Sequence, residues 1–212
     1  MKKIEKLRVK KIIDILSGLY PEAECSLDFN NIYELTVATI LSAQCTDKRV
    51  NIVTPELFRK YPDFRSLFKA DLTDLEKTIK STGFYRNKSK NLKALGTKII
   101  QEYNGILPDN LESLIQLPGI GRKTANCVMG NGFGLASGVV VDTHVKRLCY
   151  RIGLSENKDP EKVEKDLIKI VPKDKWIIFS HYLILHGRAV CKARKPACDK
   201  CDLSDQCMRR LT

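Results

Sequence analysis

The 212-residue sequence lacks any apolar run able to cross a bilayer, which takes about 20 consecutive apolar residues. Its most apolar later stretch, residues 176–185, is far shorter and is interrupted by His181. Residues 1–11 alternate Lys and Arg with Ile, Leu and Val and contain no apolar core of the kind a signal peptide needs. These absences predict a cytoplasmic protein. Strand-forming segments are also missing. Val139, Val140 and Val141 suit a strand on propensity, but three residues without a partner make no sheet, so the expected fold class is all-α. Internal repeats and low-complexity linkers are absent too. Acidic residues fall short, with 25 against 37 basic ones and a net charge of +12. Such a field favours a polyanionic partner, nucleic acid above all; a merely soluble basic protein is the plainer alternative. Eight cysteines in a reducing compartment exclude a disulfide framework and direct attention to a metal site or to catalysis.

What is present reads as helix. Ile4, Leu7, Ile12, Ile15, Leu16 and Leu19 recur at helical spacing until Tyr20-Pro21. Further helices are predicted over 32–41, 48–61, 63–68, 71–80 and 88–103, with Asp47 capping the 48–61 helix and Pro55 expected to bend it. Residues 130–134, Gly-Asn-Gly-Phe-Gly, predict a flexible loop. Buried extended chain at Val139–Val141 then leads to Asp142, a good N-cap for a helix reaching Arg151. Asp159-Pro160 opens a helix over 161–170, and the last long one runs from Lys175 to about Val190. A two-lobed organisation is expected, with residues 24–135 in one helical domain and 1–23 plus 136–212 in the other.

The chain is organised around Leu117-Pro-Gly-Ile-Gly-Arg-Lys-Thr-Ala-Asn. Apolar-periodic segments flank a tight turn, giving two helices joined by a hairpin. Gly119 and Gly121 admit backbone angles closed to other residues and let another molecule approach the turn's amides. Those N–H groups, at the start of a helix, can hold a phosphate. Lys123 lies just inside that helix. An amine becomes a nucleophile when it sheds its proton, which a cationic neighbour such as Arg122 and a helix N-terminus promote. Asp142 follows an apolar run and precedes Thr143 and His144. The plainer readings are a surface lysine and an ordinary cap.

Cys191, Cys198, Cys201 and Cys207 fall within seventeen residues, with gaps of six, two and five. Four thiols in so short a segment point to metal; tetrahedral zinc and an iron–sulfur cluster both suit them. The other four, Cys25, Cys45, Cys127 and Cys149, sit singly and read as core residues. Between the first two ligands, Lys192, Arg194 and Lys195 present charge that could meet a phosphate; a solvated basic loop is the alternative.

The hairpin sequence, Val141-Asp-Thr-His, the cysteine gaps and the upstream Leu41-Ser-Ala-Gln-Cys-Thr-Asp together resemble the endonuclease III family of helix-hairpin-helix DNA glycosylase/AP lyases. The resemblance runs along essentially the whole chain in order. It implies a six-helix barrel domain beside a domain holding a [4Fe–4S] cluster on the four cysteines, with damaged duplex DNA bound between them by a monomer. Lys123 falls on the family's catalytic lysine and Asp142 on its catalytic aspartate. Gln44 matches the residue that fills the vacated place in the duplex, and Phe84 stands where the family usually has Leu in a Gly-Leu-Tyr context. Gly119, Gly121, Arg122, His144, Lys192, Arg194 and Lys195 are the expected DNA contacts. The segment from Lys123 to Asp142 is about one residue longer than in the best-known members. The implied activity is excision of oxidised pyrimidines with strand cleavage in base-excision repair. A thymine or uracil mismatch glycosylase and a non-catalytic hairpin protein are the alternatives.

Overall fold

The computed structural model describes residues 2–211; Met1, Thr212 and the side chains of residues 2–4, Ile4 among them, lie outside the described part. Among the described residues there is no strand, and eleven α-helices follow one another: α1 (Lys2–Leu19), α2 (Ile32–Leu41), α3 (Asp47–Lys60), α4 (Phe64–Lys69), α5 (Leu72–Ile79), α6 (Tyr85–Glu102), α7 (Leu111–Leu114), α8 (Arg122–Phe133), α9 (Thr143–Ile152), α10 (Pro160–Ile170) and α11 (Trp176–Ala189). None of them is long and apolar enough to cross a membrane. The chain divides into two compact units, residues 25–135 and residues 1–24 with 136–212.

The 25–135 unit is built around α2. Eight of its ten residues are buried, as expected of a helix that is apolar all round. Its two buried threonines are satisfied locally, Thr36 donating to the Ile32 carbonyl and Thr39 to that of Leu35, each at 2.7 Å, while the Tyr33 hydroxyl donates to the Tyr61 carbonyl. Leu57, Leu67, Leu75, Ile79, Leu92, Leu95, Ile99 and Val128 close the core around it. Where α4 meets α6 the backbones nearly touch. A Cβ on Gly96 would lie 2.7 Å from the Phe68 amide nitrogen and 2.9 Å from the Phe64 carbonyl oxygen. The other unit gathers Ile12 and Leu16 of α1, Val145 and Leu148 of α9, Val163 and Leu167 of α10, and Phe179 and Leu183 of α11.

Local chemistry sets the helix starts. Asn31, Asp63, Asp71, Asn110, Asp142 and Asp159 each accept from a first-turn amide, satisfying donors that have no partner inside the helix. Three sequence expectations are corrected, at the start of α3, at residues 130–133 and at the start of α6. The cap of α3 is Thr46, which accepts from the Arg49 amide, and Asp47 lies in the first turn. Pro55 lies inside α3 with its side chain on the exposed face, where water can serve the carbonyl that its missing N–H leaves. Residues 130–133 are helical rather than loop, and α8 ends only at Gly134, φ +69°. Glycine serves close packing there, because a Cβ on Gly132 would overlap the Ile32 side chain of α2. Helix α6 also starts three residues before the expected 88, because Phe84 adopts a left-handed conformation and its carbonyl accepts from the Asn87 and Lys88 amides.

Candidate active site and metal centre

The hairpin is pinned from below. Leu114, Leu117 and Ile120 are buried, and the Ile120 amide donates to the Leu117 carbonyl at 3.1 Å. The two glycines then differ in kind. Gly119 is required from within: its φ is +78°, and a Cβ would stand 3.1 Å from that of Asn91 on α6. Gly121 has an ordinary extended backbone, φ −86° and ψ 175°, and a Cβ on it would meet nothing within 4 Å. Nothing inside the chain asks for glycine at 121. It precedes α8 as an N-cap without a side-chain acceptor, so the positive end of that helix faces outward at a smooth, open position.

Lys123 is the second residue of α8 and is exposed; Arg122 beside it is half-buried. One turn further on lies Cys127, whose thiol is brought down to about 7 by its hydrogen bond with Cys25, helped by Thr39, the Lys123 charge and Asn131. Cys25 and Cys127 are therefore neighbouring free thiols that influence each other, with Cys25 and Cys45 packed against the core and Cys149 fully buried as expected. Sequence reasoning treated Cys25 and Cys127 singly because residues 102 positions apart give no pairing signal.

Two turns of the same unit each carry an exposed side chain on a left-handed residue, Gln44 (φ +53°) after α2 and Phe84 (φ +48°) before α6. Phe84 is 61 % exposed. Non-glycine residues take this conformation at a cost of roughly 1–2 kcal/mol, which persists where the surroundings enforce it. Beneath both turns is Lys88, only 5 % exposed. Its ammonium donates to the Leu41 carbonyl and to the Thr82 carbonyl, each at 2.8 Å. On the sequence Lys88 is one of many lysines on a polar helix, and nothing there distinguishes it.

In the other unit, Asp142 is half-buried and caps α9, its Oδ1 accepting from the Val145 amide at 2.7 Å. His144 is pushed below the usual histidine range by burial, against the opposing pull of the Asp142 carboxylate. Arg147 Nη2 lies 3.1 Å from His144 Nδ1 and donates to the Gly187 and Cys191 carbonyls. Arg151, one turn on, donates to the Lys192 and Ala193 carbonyls at 2.7 and 2.9 Å and to the Cys191 sulfur at 3.5 Å. The two arginines thus tie α9 to the segment bearing Lys192, Arg194 and Lys195, all exposed. Neither was singled out from the sequence, although their spacing of four on a helix behind Asp142 was available as a signal.

The four cysteines expected to bind metal line one pocket, together with Val190, Pro196, Ala197 and Leu211. Nitrogens lie against three of the sulfurs: Arg151 donates to Cys191, the Arg209 amide donates to Cys207 at 3.3 Å, and His186 Nε2 stands 3.3 Å from Cys201. Burial, with the other cysteines adding, raises the Cys201 and Cys207 thiols, so gathering four thiolates here calls for cationic compensation. Among the described residues no group of three or more His, Cys, Asp or Glu side chains is placed to hold a single metal ion.

Comparison with known proteins places this geometry. Residues 37–173 match the HhH-GPD superfamily base excision DNA repair protein family. Endonuclease III from Synechocystis sp. is 52 % identical over 203 residues, which cover 96 % of this chain and 93 % of that protein. Two solved structures, a non-covalent Endonuclease III–DNA complex and a trapped Endonuclease III–DNA covalent intermediate (estranged-adenine complex), superpose with a TM-score of 0.91 at 41 % identity. They cover 96 % of this chain and 95 % and 96 % of their own chains. With a similarity this complete, and the hairpin, lysine and cysteine pocket in order, the chain belongs to the HhH-GPD superfamily of base excision DNA repair proteins and, within it, to the endonuclease III family.

Proposed function

We propose that the protein is a bifunctional DNA glycosylase/AP lyase that excises oxidised pyrimidines from duplex DNA, with Lys123 as nucleophile and Asp142 as its partner carboxylate. The observation that carries this reading is the exposed Lys123 in the first turn of α8, immediately after a hairpin whose Gly121 no internal constraint requires. Glycine there admits a phosphate to the backbone amides, which fixes register without reading sequence. The similarity to a trapped covalent Endonuclease III–DNA intermediate supports a lysine that bonds to the sugar.

A damaged base must first leave the stack, and damage lowers that cost. Gln44 and Phe84, on their protruding turns, occupy the vacated place; the ring of Phe84 offers a flat face for stacking. Lys123 Nζ, as the free amine, bonds to C1′ while the glycosidic C1′–N bond breaks and the base leaves with the bond's electron pair. The ring-opened sugar becomes a Schiff base on Lys123. Loss of a C2′ proton then expels the 3′ phosphate, cutting the strand on the 3′ side. Asp142 commits one oxygen to the Val145 amide; its charge assists by accepting the lysine's proton or by stabilising positive charge on the sugar.

Cys191, Cys198, Cys201 and Cys207 would hold a [4Fe–4S] cluster. Four sulfurs around one pocket ringed by N–H donors fit that group. A single zinc ion would need its thiolates about 2.3 Å from one point. The cluster, when bound, supplies a cross-link for a segment with little core of its own. Lys192, Arg194, Lys195, Arg122 and His144 are proposed as backbone contacts of the DNA.

The test is turnover on a panel of lesion-bearing duplexes. Lys123→Ala is expected to lose strand cleavage by roughly 10^4-fold or more while retaining duplex affinity. Asp142→Asn, which keeps a capping oxygen, should lose about 10^2–10^4-fold in turnover with little change in Tm. Undiminished cleavage by Lys123→Ala would refute the assignment.

A further inference from the structure

Lys88 is a buried cation that the chemistry above does not use. A buried ammonium is costly unless its protons are taken up, and here two carbonyls from different elements take them. Leu41 is the last residue of α2, where the helix dipole is negative and favours a cation. Thr82 closes the 3₁₀ turn Lys80–Thr82, is itself buried, and its hydroxyl donates back to the Ile79 carbonyl at 2.9 Å. From Leu41 the chain runs three residues to Gln44; from Thr82 it runs two residues to Phe84. The other bonds of these spans stay within their own turns: the Ser42 amide donates to the Ala38 carbonyl at 2.9 Å, the Ala43 amide to that of Ile40 at 3.4 Å, and Ser42 Oγ to that of Thr39 at 2.9 Å. The Cys45 amide donates to the Ser42 carbonyl at 3.1 Å, and the Gly83 amide to the Lys80 carbonyl at 3.4 Å. Both tips nevertheless hold left-handed backbones on non-glycine residues.

We infer that Lys88 is a positioning residue for duplex invasion: by bridging the Leu41 and Thr82 carbonyls it fixes the Gln44 and Phe84 turns relative to each other, so that both side chains enter the duplex as one device. The inference rests on the proposed roles of Gln44 and Phe84. One residue in α6 thereby sets the spacing of two tips that lie forty residues apart in sequence. Methionine would fill the same channel without donors and leave both carbonyls without their ammonium. Lys88 has no contact with the reacting sugar in this scheme. Its loss therefore acts on substrates that must be opened and spares those already open.

The experiment compares strand cleavage at an abasic site in a duplex with cleavage at the same site in a single strand, which needs no invasion. In Lys88→Met the ratio of duplex to single-strand rates is expected to fall about tenfold, with Lys88→Gln, which keeps an uncharged NH2 donor on a shorter stem, intermediate. The Gln44→Ala/Phe84→Ala double variant should show a drop in the same ratio, and adding Lys88→Met to it should lower the ratio little further, since coupled residues are non-additive. A purely structural role for Lys88 would lower both rates together and leave the ratio unchanged, and that result overturns the inference. Independent, multiplying losses overturn it too. If the double variant keeps its ratio, the roles of Gln44 and Phe84 fail and the inference falls with them. If the double variant loses its ratio and Lys88→Met does not, only the inference fails. Should Lys88→Met not fold, Lys88→Gln carries the same comparison, and the same results support or overturn the bridge.

Discussion

The hairpin of the 25–135 unit and the cysteine segment after α11 do comparable work by opposite means. Beneath the hairpin is an ordinary interior: Leu114, Leu117, Ile120, Ala125 and Val128 are buried side by side, and burial of this kind contributes about 25 cal/mol per Å² of apolar surface. The cysteine segment has Leu203 as its one buried hydrophobic residue among those described after Val190. It is held instead by guanidinium groups on backbone carbonyls. Arg8 of α1 donates to the Ile152, Gln206 and Gly153 carbonyls at 2.7–3.0 Å, Arg147 to those of Gly187 and Cys191, and Arg151 to those of Lys192 and Ala193. Charge-assisted bonds of this type orient a loop well, but a segment without a core depends on its metal for stability. One region is organised by water's exclusion, the other by charge-assisted bonds and, in the proposed reading, by ligation.

That contrast can be broken most forcefully at the metal. Cys198→Ser should abolish the visible absorbance of a thiolate-ligated cluster and cost several kcal/mol, a large part of a domain's marginal stability. Chelator treatment of the wild type should act in the same direction. Limited trypsin proteolysis should then cut after Lys192 or Arg194 well before any site in the 25–135 unit. Equal protection of both regions would mean that the segment is held without its metal.

A smaller effect tests the other side. Gly96→Ala forces a methyl group against the Phe68 and Phe64 backbone of α4, neither of which can turn aside, and overpacking of this kind costs about 1–3 kcal/mol. Thermal melting should show the loss, while absorbance of the cluster stays at wild-type level. An unchanged Tm would show that α4 and α6 separate more readily than their contact suggests.

How much of this was legible in the sequence follows the same division. Period-3.6 patterns and Asn/Asp caps located the helices, since burial on one face and unsatisfied first-turn amides leave local marks on the chain. The cysteine pocket was legible because four cysteines within seventeen residues leave little room to lie apart. What escaped were residues whose task lies across space. Gly130 and Gly132 look like a loop on propensity, and only the approach of the Ile32 side chain to Gly132 shows what a small residue serves in α8. Lys88, Arg147 and Arg151 look like helix surface, and only their carbonyl partners on distant elements give them a role. The resemblance to the endonuclease III family is what singled out Lys123 and Asp142 as candidates; no local feature separates Lys123 from other helix-start lysines.

The smallest expected difference between the regions is in pH dependence. All three histidines fall outside the 25–135 unit, and burial lowers His144 and His181 below the ordinary value of about 6.5. A lowered folded pKa means that the unfolded chain takes up protons first as pH falls. Stability of this unit should therefore be intact above about pH 6.5 and decline below it, through the lower folded values. His181→Gln should flatten the fall in Tm between neutral and mildly acid pH by a few degrees or less. An unaltered slope would remove His181 from the cause.

The central question is which amine meets the sugar. Borohydride reduction of wild-type protein on a duplex with an abasic site, followed by digestion and mass spectrometry, reads this directly. A covalent sugar adduct is expected on Lys123, and it should disappear in Lys123→Ala. An adduct on Lys88, on the N-terminal amine or on a lysine of the 192–200 segment would contradict the role of Lys123, as would an adduct that survives the substitution.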